Sequence, residues 1–147
     1  MSLIPLIEQT LSLVRGRIEN QEVILQVLRP ADPVVVDGDA DQLQQLLLNL
    51  VLNALDVVPR GGSLEIELRR SHQGRVELRV SDSGPGIAPP LLARVFDPFV
   101  SSKDSGLGLG LTVSRRIAED HGGDLVASNR PEGGACFVCR LPASPPG

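Results

Sequence analysis

Tryptophan and tyrosine are absent and phenylalanine occurs three times in 147 residues, so the chain lacks the aromatic platforms on which single-stranded nucleic acids stack. Positive charge is also short: 14 Lys and Arg against 18 Asp and Glu give a net charge of −4, the wrong sign for a surface that follows a phosphate backbone. Nucleic acid is therefore not an expected partner, and any polyanion must be held by local geometry. No apolar run approaches the ~20 residues that cross a bilayer, and the N-terminus lacks the charged head and small-residue cleavage pattern of a signal peptide. The chain is expected to be cytoplasmic without direct membrane contact, whether or not a parent protein is membrane-attached. Cysteine occurs twice, as Cys136 and Cys139, in a run that reads as a strand. Residues three apart in a strand point to opposite faces, so the pair is unsuited to a shared metal or a disulfide and reads as two small apolar residues.

What is present suits one globular domain over residues 1–147, with 41% hydrophobic and 22% charged residues and one core. Apolar residues at helical spacing (Leu6, Ile7, Leu11, Val14, Ile18) predict a helix over 4–19. A pair of short strands is expected at 23–28 and 34–36, around a break at Pro30 and Pro33. Asp39 suits an N-cap for a long Leu-rich helix over 40–58, stopped by Pro59, Gly61 and Gly62. Alternating strands over 63–70 and 75–82 form a hairpin through 71–74. The Gly/Pro/Ser-rich stretch 83–108, interrupted by an apolar piece at 91–99, reads as a mobile lid. A helix over 109–120 ends at His121-Gly122-Gly123, strands at 125–128 and 135–141 close the domain, and the Pro-rich tail 142–147 is expected to fray. The implied architecture is an α+β two-layer sandwich: a mixed, mostly antiparallel sheet with helices on one face.

Three constellations carry chemistry. In the long helix, Gln42, Gln45, Asn49, Asn53 and Asp56 form one polar stripe among Leu, Val and Ala. Surface stripes normally carry Lys, Glu and Arg, and Asn inside a helix costs about 0.5 kcal/mol relative to Ala; a carboxamide oxygen is a hard donor suited to magnesium. Asp82 ends an apolar strand before Ser83-Gly84-Pro85-Gly86-Ile87, where the glycines let a flat ligand approach the backbone. A carboxylate there accepts from the exocyclic amine of adenine and repels the oxygen of guanine, which predicts ATP over GTP. Taken alone, Asp-Ser-Gly at a strand end is more often a turn. Third, Gly106-Leu107-Gly108-Leu109-Gly110-Leu111 leads straight into a helix, whose free amides and dipole favour phosphate. Its spacing is neither a P-loop nor a Rossmann fingerprint. Lys103, just upstream, can meet terminal phosphates, although a lone lysine is more often a solvated charge.

In this order the pieces resemble the ATPase/kinase superfamily of histidine kinases, Hsp90, MutL and type II topoisomerases, over nearly the whole chain. Asn49-Leu50-Val51-Leu52-Asn53-Ala54 resembles the N box, Asp82-Ser83-Gly84-Pro85-Gly86 the first glycine box, Val95-Phe96-Asp97-Pro98-Phe99 the F box, and the residues from Gly106 to Gly110 the second glycine box. The resemblance implies the Bergerat fold with Mg-ATP between the long helix and the lid, Asn53 on magnesium, Asn49 near the phosphates and Asp82 on adenine. It extends the candidate nucleotide contacts to Asp56, Gly84, Gly86, Ile87, Phe96, Phe99, Lys103, Gly106, Leu107, Gly108, Leu109 and Gly110, with Asn49, Asn53 and Lys103 as catalytic candidates. Phe96 and Phe99 could equally be ordinary packing.

The ATPase branches place a glutamate where this chain has Asn49, which cannot act as a general base. That asparagine, the F box and the glycine box are similar to those of sensor histidine kinases, the nitrogen-regulation sensors among them. Many relatives carry a threonine where Ala135 follows Gly134. The family's phosphoacceptor histidine lies on a dimeric helical hairpin upstream. His72 falls in a hairpin turn and His121 at a helix C-terminus, where an imidazole caps the dipole. The expectation is a kinase domain that positions Mg-ATP for transfer to a histidine on that separate helical domain, with a response-regulator receiver domain as indirect partner. The alternatives are a nucleotide-dependent protein-binding switch or serine kinase of the anti-sigma-factor type, and, ranked last, a hydrolysing ATPase.

Overall fold

The computed structural model describes residues 1–97 and 108–144. Helix α1 (Leu3–Asn20) is followed by β1 (Ile24–Leu28), α2 (Ala40–Val57), β2 (Ser63–Arg70), a 3-10 turn (His72–Gly74) and β3 (Arg75–Asp82). After these come α3 (Pro89–Leu92), α4 (Gly108–Asp120), β4 (Asp124–Asn129) and β5 (Ala135–Pro142). The strands form one five-stranded sheet in the order β1-β2-β3-β5-β4. Among the described residues only β1 is parallel to its neighbour, and the other three pairings are antiparallel. The predicted α+β architecture is what the chain adopts.

Alternation along the strands decides which face is covered. Leu64, Ile66 and Leu68 of β2 and Val76, Leu78 and Val80 of β3 are all at most 3% exposed. They meet the leucine face of α2, where Leu46, Leu47, Leu50 and Val51 are essentially buried. Helix α2 starts at Asp39, whose carboxylate accepts from the amides of Asp41 at 2.9 Å and Gln42 at 3.2 Å, satisfying two of the donors a helix start leaves over. It stops at Val58 because Pro59 follows and Gly61 adopts a positive φ of 79°.

Two expectations are corrected. Residues 34–36 form no strand beside β1: Val35 makes a single bridge to Ser2, and β1 pairs with β2 instead. Pro30 and Pro33 remove amide donors from this segment, while Val34 and Val36 are each 1% exposed and serve as core plugs. Of the tail expected to fray, residues 142–144 are held, and 145–147 lie outside the described residues. Pro142 still belongs to β5, the Ala143 amide donates to Gly74 O at 2.8 Å and the Ser144 amide to Val35 O at 2.9 Å. Ser144 Oγ adds a hydrogen bond to Asp37 Oδ1 at 2.9 Å.

Candidate nucleotide site

The stripe on α2 divides into two parts. Asn49 donates through Nδ2 to Gly110 O at 3.1 Å and to Ser114 Oγ at 3.2 Å, and its Oδ1 accepts from Gln45 Nε2 at 2.8 Å. Ser114, fully buried, in turn donates to Gly110 O at 2.9 Å. The first turn of α4 is thereby fastened to the middle of α2 by polar contacts between otherwise apolar surfaces. Asn49, Leu52, Asn53, Gly110 and Leu111 line a cavity of about 30 Å³, which is room for a water rather than a nucleotide. One turn further along, Asp56 is drawn the other way, into an ion pair with Arg17 of α1 at 2.5 Å. Arg17 is itself braced by Gln21 at 2.6 Å. The geometry thus uses one oxygen of Asp56 to join α1 to α2.

At the end of β3, Asp82 is 1% exposed. Its Oδ1 accepts from the Gly84 amide at 2.8 Å and faces the Ala135 amide at 3.4 Å. A backbone donor thus stands beside the carboxylate at the position where the sequence lacks a threonine hydroxyl. A Cβ on Gly84 would come within 3.0 Å of both Asp82 Oδ1 and Val57 O, so this loop lies against the C-terminal end of the helix that carries Asn53. Gly134 is constrained more severely: with φ of +93°, a Cβ there would sit 1.8 Å from Asp82 O. The same carbonyl accepts from Arg130 Nη1 at 2.9 Å. Beyond Asp82, the Ile87 backbone is paired to the side chain of Asn129, with Ile87 N to Oδ1 at 2.7 Å and Nδ2 to Ile87 O at 2.8 Å.

Phe96 is packed rather than presented. Its ring meets Phe137 edge-on at 6.2 Å, the Arg115 guanidinium lies 5.4 Å from its centroid, and Thr112 Oγ1 donates to its carbonyl at 2.7 Å. Gly108 opens α4 and Gly110 lies in its first turn. Phe99, Lys103, Gly106 and Leu107, and the side chain of Leu109, lie outside the described residues. His121 caps α4 as expected: Nδ1 bonds Ile117 O at 2.8 Å and Nε2 accepts from the Asp39 amide at 3.1 Å. Among the described residues no group of three or more His, Cys, Asp or Glu is placed to hold a metal, and no helix is long and apolar enough to cross a membrane.

Ser114, Asn129 and Arg130 join this arrangement without belonging to any of the three sequence constellations. Ser114 left a signal, a hydroxyl on the buried face of α4 four residues after Gly110. Asn129 and Arg130 left none, because their roles depend on a loop more than forty positions away.

An acid at a strand end, two carboxamides one turn apart and a glycine-opened helix, set on a mixed sheet, are the arrangement that the resemblance to the ATPase/kinase superfamily implies. Residues 38–145 match the family of histidine kinase-, DNA gyrase B-, and HSP90-like ATPases, and the chain belongs to that family. Within it, the chain is the ATP-binding catalytic domain of the two-component sensor histidine kinases. It is 42% identical over 141 residues to the sensor protein TorS of Escherichia coli strain K12, covering 94% of this chain and 15% of TorS. It is 37% identical over 137 residues to the sensor histidine kinase ZraS of Salmonella typhimurium, covering 93% of this chain and 30% of ZraS. The chain thus spans less than a third of either protein. The catalytic domain of histidine kinase ThkA superimposes with a TM-score of 0.89 at 31% identity, covering 97% of this chain and 93% of that one. Full-length ShkA in complex with AMPPNP gives 0.88 at 27% identity, covering 99% and 31%. Histidine kinase ThkA in complex with the response regulator protein TrrA gives 0.84 at 28%, covering 98% and 41%.

Proposed function

We propose that the domain binds Mg-ATP beside α2 and presents the γ-phosphate to a histidine on a separate helical dimerisation domain of its parent protein. The observation that carries this reading is the meeting of Asn49, Asn53 and Gly110 at one cavity, with the Asp82 loop against the end of the same helix. Asp82 takes adenine, and Gly84, Gly86 and Ile87 flank it. Asn49 and the amides opening α4 take phosphate; Gly106 and Leu107 are assigned there by their place in the second glycine box, and Lys103 by its place just before it. Asn53 would hold magnesium: its carboxamide oxygen is a hard donor, and it lines the cavity beside Gly110. The metal, when bound, neutralises charge developing on the phosphates.

Nothing at the Asn49 position can take a proton from water, which favours transfer over hydrolysis. The domain's part is to position and neutralise, leaving the proton to the acceptor's own surroundings. The assembly recorded for ThkA with TrrA supports a response-regulator receiver domain as the eventual recipient, and dependence on ATP is consistent with a cytoplasmic position.

The test is to mix the domain with the helical segment of its parent and labelled ATP. Acid-labile, alkali-stable phosphate should accumulate on that segment and vanish with Asn53→Ala. Transfer to serine, or stoichiometric capture of a protein without transfer, would overturn the reading in favour of the anti-sigma type of switch.

A further inference from the structure

We infer that Asn129 is a positioning residue for nucleotide binding, its carboxamide fixing the backbone of Gly86 and Ile87 beside Asp82. The inference rests on the reading of Asp82 as the adenine acceptor.

Asn129 is the last residue of β4 and pairs across to Ala135. Immediately after it the chain turns, with Arg130 N bonded to Gly134 O at 2.8 Å and Gly133 N to Arg130 O at 3.0 Å. This turn already holds Asp82 itself, through Arg130 Nη1 on its carbonyl at 2.9 Å and the close approach of Gly134. Asn129 reaches further, to the loop that follows. A primary carboxamide carries the same donor and acceptor pair as a peptide group. By accepting from Ile87 N at 2.7 Å and donating to Ile87 O at 2.8 Å, it adds one more rung to the sheet for a loop without a strand of its own. The Ile87 N–H can meet only an acceptor, so the orientation of the amide follows.

Gly86 fits this arrangement twice over. Its φ is +80°, and a Cβ there would stand 2.9 Å from Asn129 Oδ1. The glycine thus supplies both the left-handed backbone and the room the carboxamide occupies. A purely structural staple would be expected to hold the core. Asn129 instead is exposed and makes these two bonds at the rim of the domain, where water replaces them when they are lost. What its removal frees is the floor on which a flat base would rest.

The experiment compares Asn129→Ala, Gly86→Ala, the double variant and Asp82→Asn by calorimetric titration with ATP and magnesium, alongside melting without nucleotide. If the loop keeps its bound arrangement one-tenth of the time once released, apparent affinity falls about tenfold. Asn129→Ala should show that loss with a melting temperature within about 2 °C of wild type. The double variant should bind no more weakly than Gly86→Ala, since both act through one contact. In the full-length parent, KM for ATP should rise while kcat holds, because a grip on adenine is the same in ground and transition states. Wild-type affinity in Asn129→Ala, or a loss fully additive with Gly86→Ala, overturns the inference while Asp82→Asn still abolishes binding. If Asp82→Asn binds ATP as wild type does, it is the nucleotide reading that fails.

Discussion

Asn49 on α2 donates to the buried hydroxyl of Ser114 on α4 at 3.2 Å, and the Ser114 hydroxyl in turn donates a hydrogen bond to Gly110 O at 2.9 Å. Two helices that would otherwise slide on leucine are pinned in register at the first turn of α4.

Ser114→Ala removes one acceptor from Asn49 and leaves Gly110 O to it. A net hydrogen bond at a buried site is worth about 1 kcal/mol, so urea denaturation should show a loss of that order. The melting temperature should fall by roughly 2–4 °C for a domain of this size. A variant as stable as wild type would mean the pin carries no load.

Gly134→Ala combines two faults, a left-handed φ and a Cβ 1.8 Å from Asp82 O. Strain at such a position costs on the order of 1–3 kcal/mol before any clash, so stability should drop by at least ~2 kcal/mol. ATP affinity should drop with it, because the displaced carbonyl belongs to Asp82. Calorimetric melting and nucleotide titration on the same sample would read both.

Glu77 sits on the open face of the sheet among Arg69, Arg79 and Arg140, at 2.8, 3.5 and 3.4 Å. Burial pushes its carboxyl up, but the hydrogen bond and charge of Arg69, with Arg79 and Arg140 behind it, outweigh that and hold its pKa below the usual 4.5. A carboxyl whose folded value lies below its unfolded one adds stability above the unfolded value and loses it as pH falls through the folded one. Wild type should therefore melt above Glu77→Gln near neutrality, with the gap closing below about pH 4.5. A gap independent of pH would exclude charge as its source.

The Cys139 thiol is pushed up to about 12 by burial and by the nearby Asp124 carboxylate. Since the thiolate is the reactive form, iodoacetamide at pH 8 should leave Cys139 unmodified in the folded protein and label it in guanidinium. Peptide mass mapping of Cys139 before and after unfolding tells the two apart.

What could be read in advance was whatever repeats or stands at a boundary. The spacing of Asn49 and Asn53 marks one helical face, and Asp82 is marked by the apolar strand before it and the glycines after it. What could not be read was pairing between elements far apart in the chain. Asn129 looks like any turn-prone residue until Ile87 lies opposite, and Asp56 looks like only the last member of the stripe until Arg17 reaches it. Val34, Val35 and Val36 have strand composition, yet the prolines upstream leave them a single bridge. The terminal prolines suggested fraying, whereas the amides of Ala143 and Ser144, which proline does not remove, found carbonyls to meet.

The segment around Val35 takes hydrogen bonds from both directions: Met1 N donates to Val36 O at 2.7 Å, and Ser144 N to Val35 O at 2.9 Å. In a polypeptide that continues on either side, tension entering near one terminus would leave near the other through this short strip. The Ala143 amide on Gly74 O shares that load with the turn between β2 and β3, so the strip and the turn together tie the two ends of the described chain.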